Sequence, residues 1–288
     1  MTRQELTALI RRKRSYLCIG LDPDPDRIPA FLFEQSDDPL FEFNRRIIDA
    51  TIDLAVAYKP NLAFYESGGS KGWESLEKTI DYLNRVGSVF TIADAKRGDI
   101  GNSAGHYARA FFEAMDFDAV TLSPYMGHDS ILPFLAYKDK WAIVLALTSN
   151  PGAMDFQVQP RLPDPLDKFG IQTTDPKKLF ELVMEEGMKW GSKENTMFVV
   201  GATRPDLLAF IRESFPEHFF LIPGVGAQGG DLSEVSRIAM NQDCGILVNL
   251  SRNIIYASGE RDFDQGARLA AAKVQEKMET LLRVKQII

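Results

Sequence analysis

Eight short, near-continuously apolar runs recur along this 288-residue chain, each separated from the next by a longer segment. They read YLCIGL (16–21), AVAYKP (55–60), VFTIAD (89–94), AVTL (119–122), WAIVLAL (141–147), MFVVG (197–201), FFLI (219–222) and GILVN (245–249). Runs without polar alternation belong to strands covered on both faces, the condition inside a parallel sheet. Between them, FEFNRRIIDATIDLA (41–55) and GHYARAFFEAM (105–115) carry a helical period. DLSEVSRIAM (231–240) opens with Asp231 and places Glu234 three residues on, a capping-box signature. Strand alternating with helix means βαβ units. Eight of them predict a closed (β/α)8 TIM barrel, an α/β fold, rather than an open sheet. The length suits one such barrel, and no linker or low-complexity tract divides it, so residues 1–288 are expected to form a single domain.

Composition narrows the function classes. The formal net charge of -7 argues against an extended nucleic-acid surface, which needs clustered excess Lys and Arg. It leaves room for a local cationic pocket. Cys18 and Cys244 lie far apart in apolar contexts, so they form neither a disulfide framework nor a metal site and read as buried thiols in a reducing compartment. The opening MTRQELTALIRRKRSY lacks the apolar core of a secretory signal, and its RRKR run reads as the solvated end of a short first helix. Runs such as AIVLAL (142–147) are too short to span a bilayer. No membrane association and a cytoplasmic location are therefore expected. One long irregular segment, at about 150–176, is rich in Pro, Asp and Gln. It follows the fifth strand, which puts it on the C-terminal face of the barrel, where active sites of this fold are built.

Charged residues stand at the ends of the first three strands. Asp22 closes the first in GLDP, Lys59 the second in AYKPN, and Asp94 and Lys96 the third in ADAKRGD. On an extended chain positions 94 and 96 point to the same face, into the barrel mouth. Buried charges are tolerated when paired, and an alternating Asp–Lys–Asp–Lys array meets that condition. Any one of these residues alone would read as part of a structural ion network at the rim. Four at matching depth on adjacent strands favour a reaction site.

A second cluster lies at the other end of the chain. PGVGAQGGD (223–231) follows the seventh strand, and NLSRN (249–253) follows the eighth. Glycines let backbone N–H groups approach an anion, a helix N-terminus favours negative charge, and Arg252 could clamp a phosphate in bidentate fashion. Loops after strands seven and eight are the usual phosphate site of this fold. Pattern alone thus reaches a barrel enzyme acting on a small phosphorylated substrate.

The segments DAKRGDIG, GLDP, YKPN, SNPG and PGVGAQGG resemble, in order, those of the bacterial type 2 subfamily of orotidine 5′-phosphate decarboxylases, with DAKRGDI matching that family's D-x-K-x-x-D-I motif. The resemblance spans most of the chain, the 155–176 loop and the last helix excepted. It implies a homodimer that binds orotidine 5′-phosphate without metal or organic cofactor, releases carbon dioxide, and forms UMP in the last step of de novo pyrimidine synthesis. Carried over by position, Lys96 would protonate C6 of the pyrimidine, and Asp94 would sit against the substrate carboxylate. Lys59 would hold Asp94 and the ribose hydroxyls, and Asp22 would bind the ribose. Asp99 would complete the array from the partner subunit. Ser103 stands where the family more often has threonine, near the ribose or phosphate, because GNS replaces the commoner GST. Ser149 would hydrogen-bond the pyrimidine amide, with Pro223 beside the ring. Gln228, Gly229 and Arg252 would hold the phosphate. Two alternatives share parts of the pattern: a magnesium-dependent decarboxylase of a sugar-acid phosphate, and a non-catalytic barrel that senses a nucleotide. The second gives no reason for Lys96 beside Asp94.

Overall fold

The computed structural model of the chain describes residues 1–160, 177–226 and 229–288. All eight apolar runs are strands: β1 (Leu17–Leu21), β2 (Ala57–Pro60), β3 (Phe90–Arg97), β4 (Ala119–Leu122), β5 (Trp141–Leu147), β6 (Thr196–Val200), β7 (Phe219–Ile222) and β8 (Ile246–Leu250). They are parallel and pair in chain order, and β8 closes on β1 through Leu17↔Val248 and Ile19↔Leu250. Every residue of β1, β2, β4, β6 and β7 is buried, as the unalternating runs require. β3 continues past the apolar run to Arg97. An apolarity rule stops at Asp94; the strand continues because the charges beyond are paired.

The helices form where their caps and periods put them. The helix Pro39–Thr51 begins at Asp38, whose carboxylate accepts from Phe41 N–H at 3.1 Å. The helix Leu232–Ala239 begins at Asp231, which accepts from Glu234 N–H at 2.8 Å. The helix Gly101–Arg109 runs into a π-turn at Ala110–Ala114, so the segment expected over 105–115 starts earlier and loosens at its end. RRKR does end the first helix, Arg3–Lys13. Lys13, however, is not simply solvated. Its ammonium donates to Ile52 O at 2.7 Å and Ala55 O at 2.6 Å, capping the carbonyls that end the neighbouring helix.

At the N-terminal end of the barrel the core is closed by aromatic and cationic side chains. Trp141, fully buried, meets Phe90 and Phe219 edge-on at 6.0 and 6.1 Å. Arg212 has no carboxylate partner among the described residues; it donates instead to the carbonyls of Ala239, Phe215, Pro216, His218 and Gly245. Both cysteines are buried and free, and no described helix is long and apolar enough to cross a membrane. The long segment after β5 starts with a short helix, Ala153–Phe156, and is pinched at its base by a bridge between Pro160 and Lys178. The remainder of that expected loop, 161–176, lies outside the described residues.

His218 packs beside Phe198, at 5.5 Å between ring centres, and its buried Nε2 has no partner among the described residues. Burial, reinforced by the nearby Arg3 and Arg212 charges, pulls its pKa down to about 4. The folded state therefore holds the proton less well than the unfolded chain. Its contribution is intact above the ordinary histidine value near 6.5 and is lost as pH falls towards 4, by about 3 kcal/mol in all. We predict that His218→Phe, which keeps the ring packing, weakens the fall in urea midpoint between pH 6.5 and 4. An unchanged slope would show that His218 is not responsible for it.

Candidate active site

The parallel register of β2 and β3 pairs Tyr58 with Thr91 and, past the end of the ladder, Asn61 with Asp94. That places Lys59 beside Asp94 at the C-terminal mouth of the barrel. Lys59 Nζ donates to Asp94 Oδ2 at 2.5 Å, and Lys96 Nζ donates to Oδ1 at 2.6 Å. The Lys59 and Asp94 side chains are 7% and 11% exposed, whereas Lys96 is half exposed. Burial works against the Asp94 carboxylate, but the Lys59 and Lys96 ammoniums outweigh it and hold its pKa far below the ordinary range. Burial likewise opposes the Lys59 charge and is outweighed by Asp94 and Asp22, so its pKa lies above the ordinary lysine value. Lys59 and Asp94 are therefore held as an ion pair at neutral pH.

Simple strand alternation does not bring Asp94 and Lys96 together. The β3–β4 register slips between Ala93 and Arg97, and Lys96 adopts a left-handed backbone with φ +48°. Such a residue costs about 1–2 kcal/mol. Thr121 of β4 compensates: its hydroxyl accepts the Lys96 N–H at 3.0 Å and donates to Asp94 Oδ1 at 3.0 Å. Sequence reasoning missed Thr121, although it is the sole polar residue of AVTL.

Asp22 was expected in the same array but stands apart, outside ion-pair reach of Lys59 among the described residues. Its Oδ2 accepts from Ser251 Oγ at 2.7 Å, its Oδ1 is buried without a partner among the described residues, and its carbonyl accepts from Tyr256 OH at 2.8 Å. Asp22, Pro223 and Arg252 line one cleft of about 140 Å³ together with Gly224, Asn249 and Ser251. Further along the loop after β7, Gly226 and Gly229 have φ +73° and +93°, values that favour glycine. The Gly229 N–H is turned inward to Gly226 O at 2.9 Å. Arg252 is exposed and, among the described residues, its guanidinium has no ion-pair partner. The expected phosphate contact Gln228 lies outside the described residues.

The other expected residues sit nearby without joining the array. Ser149 is half-buried on the turn after β5, where Gln157 accepts from Thr148 N–H at 2.7 Å. Ser103 is exposed in the first turn of Gly101–Arg109. Asp99 is half-buried; its Oδ1 accepts from Ile100 N–H at 2.8 Å, and it forms no ion pair among the described residues. Between them, Arg97 ties the turn down by donating to Ala95 O at 2.9 Å and pairing with Glu66. Chemically, the site offers a fixed carboxylate flanked by two ammoniums. One of these is accessible and could deliver a proton.

Comparison with known proteins agrees with this geometry. The family model described as orotidine 5′-phosphate decarboxylase / HUMPS family matches residues 15–262. The chain is 52% identical to orotidine 5′-phosphate decarboxylase of Flavobacterium johnsoniae, over 98% of each chain. It is 49% identical to that of Bacteroides fragilis, over 98% of this chain and 99% of the other. Among solved structures, the OMP decarboxylase of Leishmania donovani is 35% identical with a TM-score of 0.79, covering 98% of this chain and 99% of that one. That of Plasmodium berghei is 25% identical with a TM-score of 0.81, covering 98% of both.

The array also makes a stability prediction. Asp94→Ala leaves Lys59 buried without its ion-pair partner and is expected to destabilise the fold by about 3–5 kcal/mol. Removing the half-exposed Lys96 side chain should cost under about 1 kcal/mol. Urea unfolding of the two variants tests this, and equal losses would contradict the unequal burial of the two lysines.

Proposed function

Because the chain belongs to the orotidine 5′-phosphate decarboxylase / HUMPS family, we propose that it decarboxylates orotidine 5′-phosphate to UMP and carbon dioxide at the mouth of its barrel. The observation that carries this reading is the Asp94 carboxylate clamped between the Lys59 and Lys96 ammoniums. In the reaction the bond from C6 to the carboxyl carbon breaks, and its electron pair stays on C6. That vinylic carbanion has little resonance help. The exposed Lys96 ammonium attracts the developing charge and then transfers its proton to C6, after which the amine regains a proton from water. Asp94 faces the substrate carboxylate; two like charges about 4 Å apart repel by roughly 4 kcal/mol at an effective dielectric near 20. Loss of carbon dioxide relieves that repulsion. Lys59 keeps Asp94 ionised and in place for it.

The rest of the substrate has complementary groups around it. Asp22, with its unpartnered Oδ1, would accept from a ribose hydroxyl. Arg252, on the same cleft, would hold the phosphate with Gln228 and Gly229. Ser149 would bind the pyrimidine amide beside Pro223, and Ser103 would lie near the ribose or phosphate. Binding energy from the phosphate, remote from C6, can offset the strain at the reacting carbon. The enzyme would work in the cytoplasm as a homodimer, with Asp99 reaching the partner's array. What supports the dimer is that Asp99 has no cationic partner of its own among the described residues. Large apolar side chains in the segments that follow β3 and β4, Ile100 and Tyr107 after the first and Tyr125 and Met126 after the second, are also exposed.

Loss of orotidine 5′-phosphate absorbance should be catalysed by the parent, persist in EDTA, and vanish in Lys96→Ala while ligand binding survives in part. Normal turnover by Lys96→Ala would remove Lys96 from the chemistry. Loss in EDTA that magnesium restores would favour the metal-dependent alternative. For the dimer, Lys96→Ala and Asp99→Ala are each expected to be inactive alone. After subunit exchange, each mixed dimer holds one complete site, so activity should reappear. A mixture that stays inactive would place Asp99 outside the partner's site.

A further inference from the structure

We infer that Thr121 is a positioning residue of this reaction, its hydroxyl setting where the Lys96 ammonium stands relative to the Asp94 carboxylate. The inference rests on the roles proposed above for Asp94 and Lys96. Thr121 is 1% exposed, so water does not substitute for it. Its oxygen accepts the Lys96 backbone N–H at 3.0 Å, which leaves its own proton directed to Asp94 Oδ1 at 3.0 Å. The same Oδ1 receives the Lys96 ammonium at 2.6 Å. One hydroxyl therefore joins the backbone of the proton donor to the carboxylate its side chain must face.

The β3–β4 ladder shows why the link is needed. Regular pairing holds at Ile92↔Ala119 and Ala93↔Val120, then resumes at Arg97↔Leu122. Lys96 falls in the gap, in a left-handed conformation. The register pairs no β4 residue with Lys96, and Thr121 supplies its amide an acceptor from a side chain. Without the hydroxyl, the amide and Asp94 Oδ1 each lose a partner in a buried setting. An extended backbone at residue 96 then becomes competitive, and it would redirect the lysine side chain. Among the described residues, the Thr121 hydroxyl bonds neither Asp22, just after β1, nor any residue lining the cleft after β7 and β8, so substrate binding should be largely spared while proton delivery suffers.

The test compares the parent with Thr121→Val, Thr121→Ser and Lys96→Ala on orotidine 5′-phosphate. Thr121→Val keeps the shape and removes the hydroxyl; kcat is expected to fall about 10- to 100-fold with little change in KM. Thr121→Ser, which retains the hydroxyl, should recover most of the rate. Thr121→Ala removes the same group with less bulk, so a valine variant that fails to fold does not end the test. Parental kcat in the hydroxyl-less variants, or a serine variant as slow as valine, would overturn the inference. So would a rise in KM accounting for the whole loss. Inactive Lys96→Ala beside fully active Thr121→Val would sink the Thr121 role alone. Active Lys96→Ala would sink the underlying assignment and this inference with it.

Discussion

Asp94 lies between two ammoniums, and the mouth of the barrel is organised around making that stable. A carboxylate or an ammonium taken from water alone costs several kcal/mol. Lys59 and Asp94 are tolerated inside only because β2 and β3 present them to each other at 2.5 Å. Lys96 completes the clamp from the solvent side. The remaining local features follow from this: β3 extends past its apolar run, the register slips, Lys96 turns left-handed, and Thr121 is recruited from β4. The arrangement leaves an accessible positive group beside a fixed negative one.

The seam where β8 closes on β1 is the second constraint. Gly20 lets the two strands approach closely, since a Cβ there would meet Ser251 Cβ at 2.7 Å. Ser251 then reaches Asp22, and Tyr256 clasps the following loop by donating to Asp22 O and accepting from Asp24 N–H at 2.7 Å. The Arg27 guanidinium lies over the Tyr256 ring at 3.9 Å. Arg252, Ser251 and Tyr256 belong to one short helical segment, Arg252–Ile255, and its flanks. Asp22, through Ser251, and Arg252 are thus tied to a common piece of backbone.

Legibility differed between the fold and the site. The eight strands were readable because burial on both faces leaves an unalternating apolar signature, and Asp231 was readable as a cap because capping is local. The end of β3 was not, because apolarity stops marking a strand where charge pairing takes over. Asp94 and Lys96 were rightly read as a pair, but the alternation invoked for them is not how they meet. Lys13, read as solvated, reaches carbonyls of another helix, a contact that no local pattern encodes.

What the sequence determined by itself was the barrel, its strand order, the family to which it belongs, and the chemistry available at each strand end. These depend on periodicity and residue type, which act over a few positions. Only the tertiary structure decided which of those groups meet. It joined Lys59, Asp94 and Lys96, set Asp22 apart with Ser251, left Asp99 outside its own array, and brought in Thr121. The physical reason is that ion pairing and hydrogen bonding act over about 3 Å. Strand register and barrel closure, set by contacts between residues far apart in the chain, determine which side chains come within that distance.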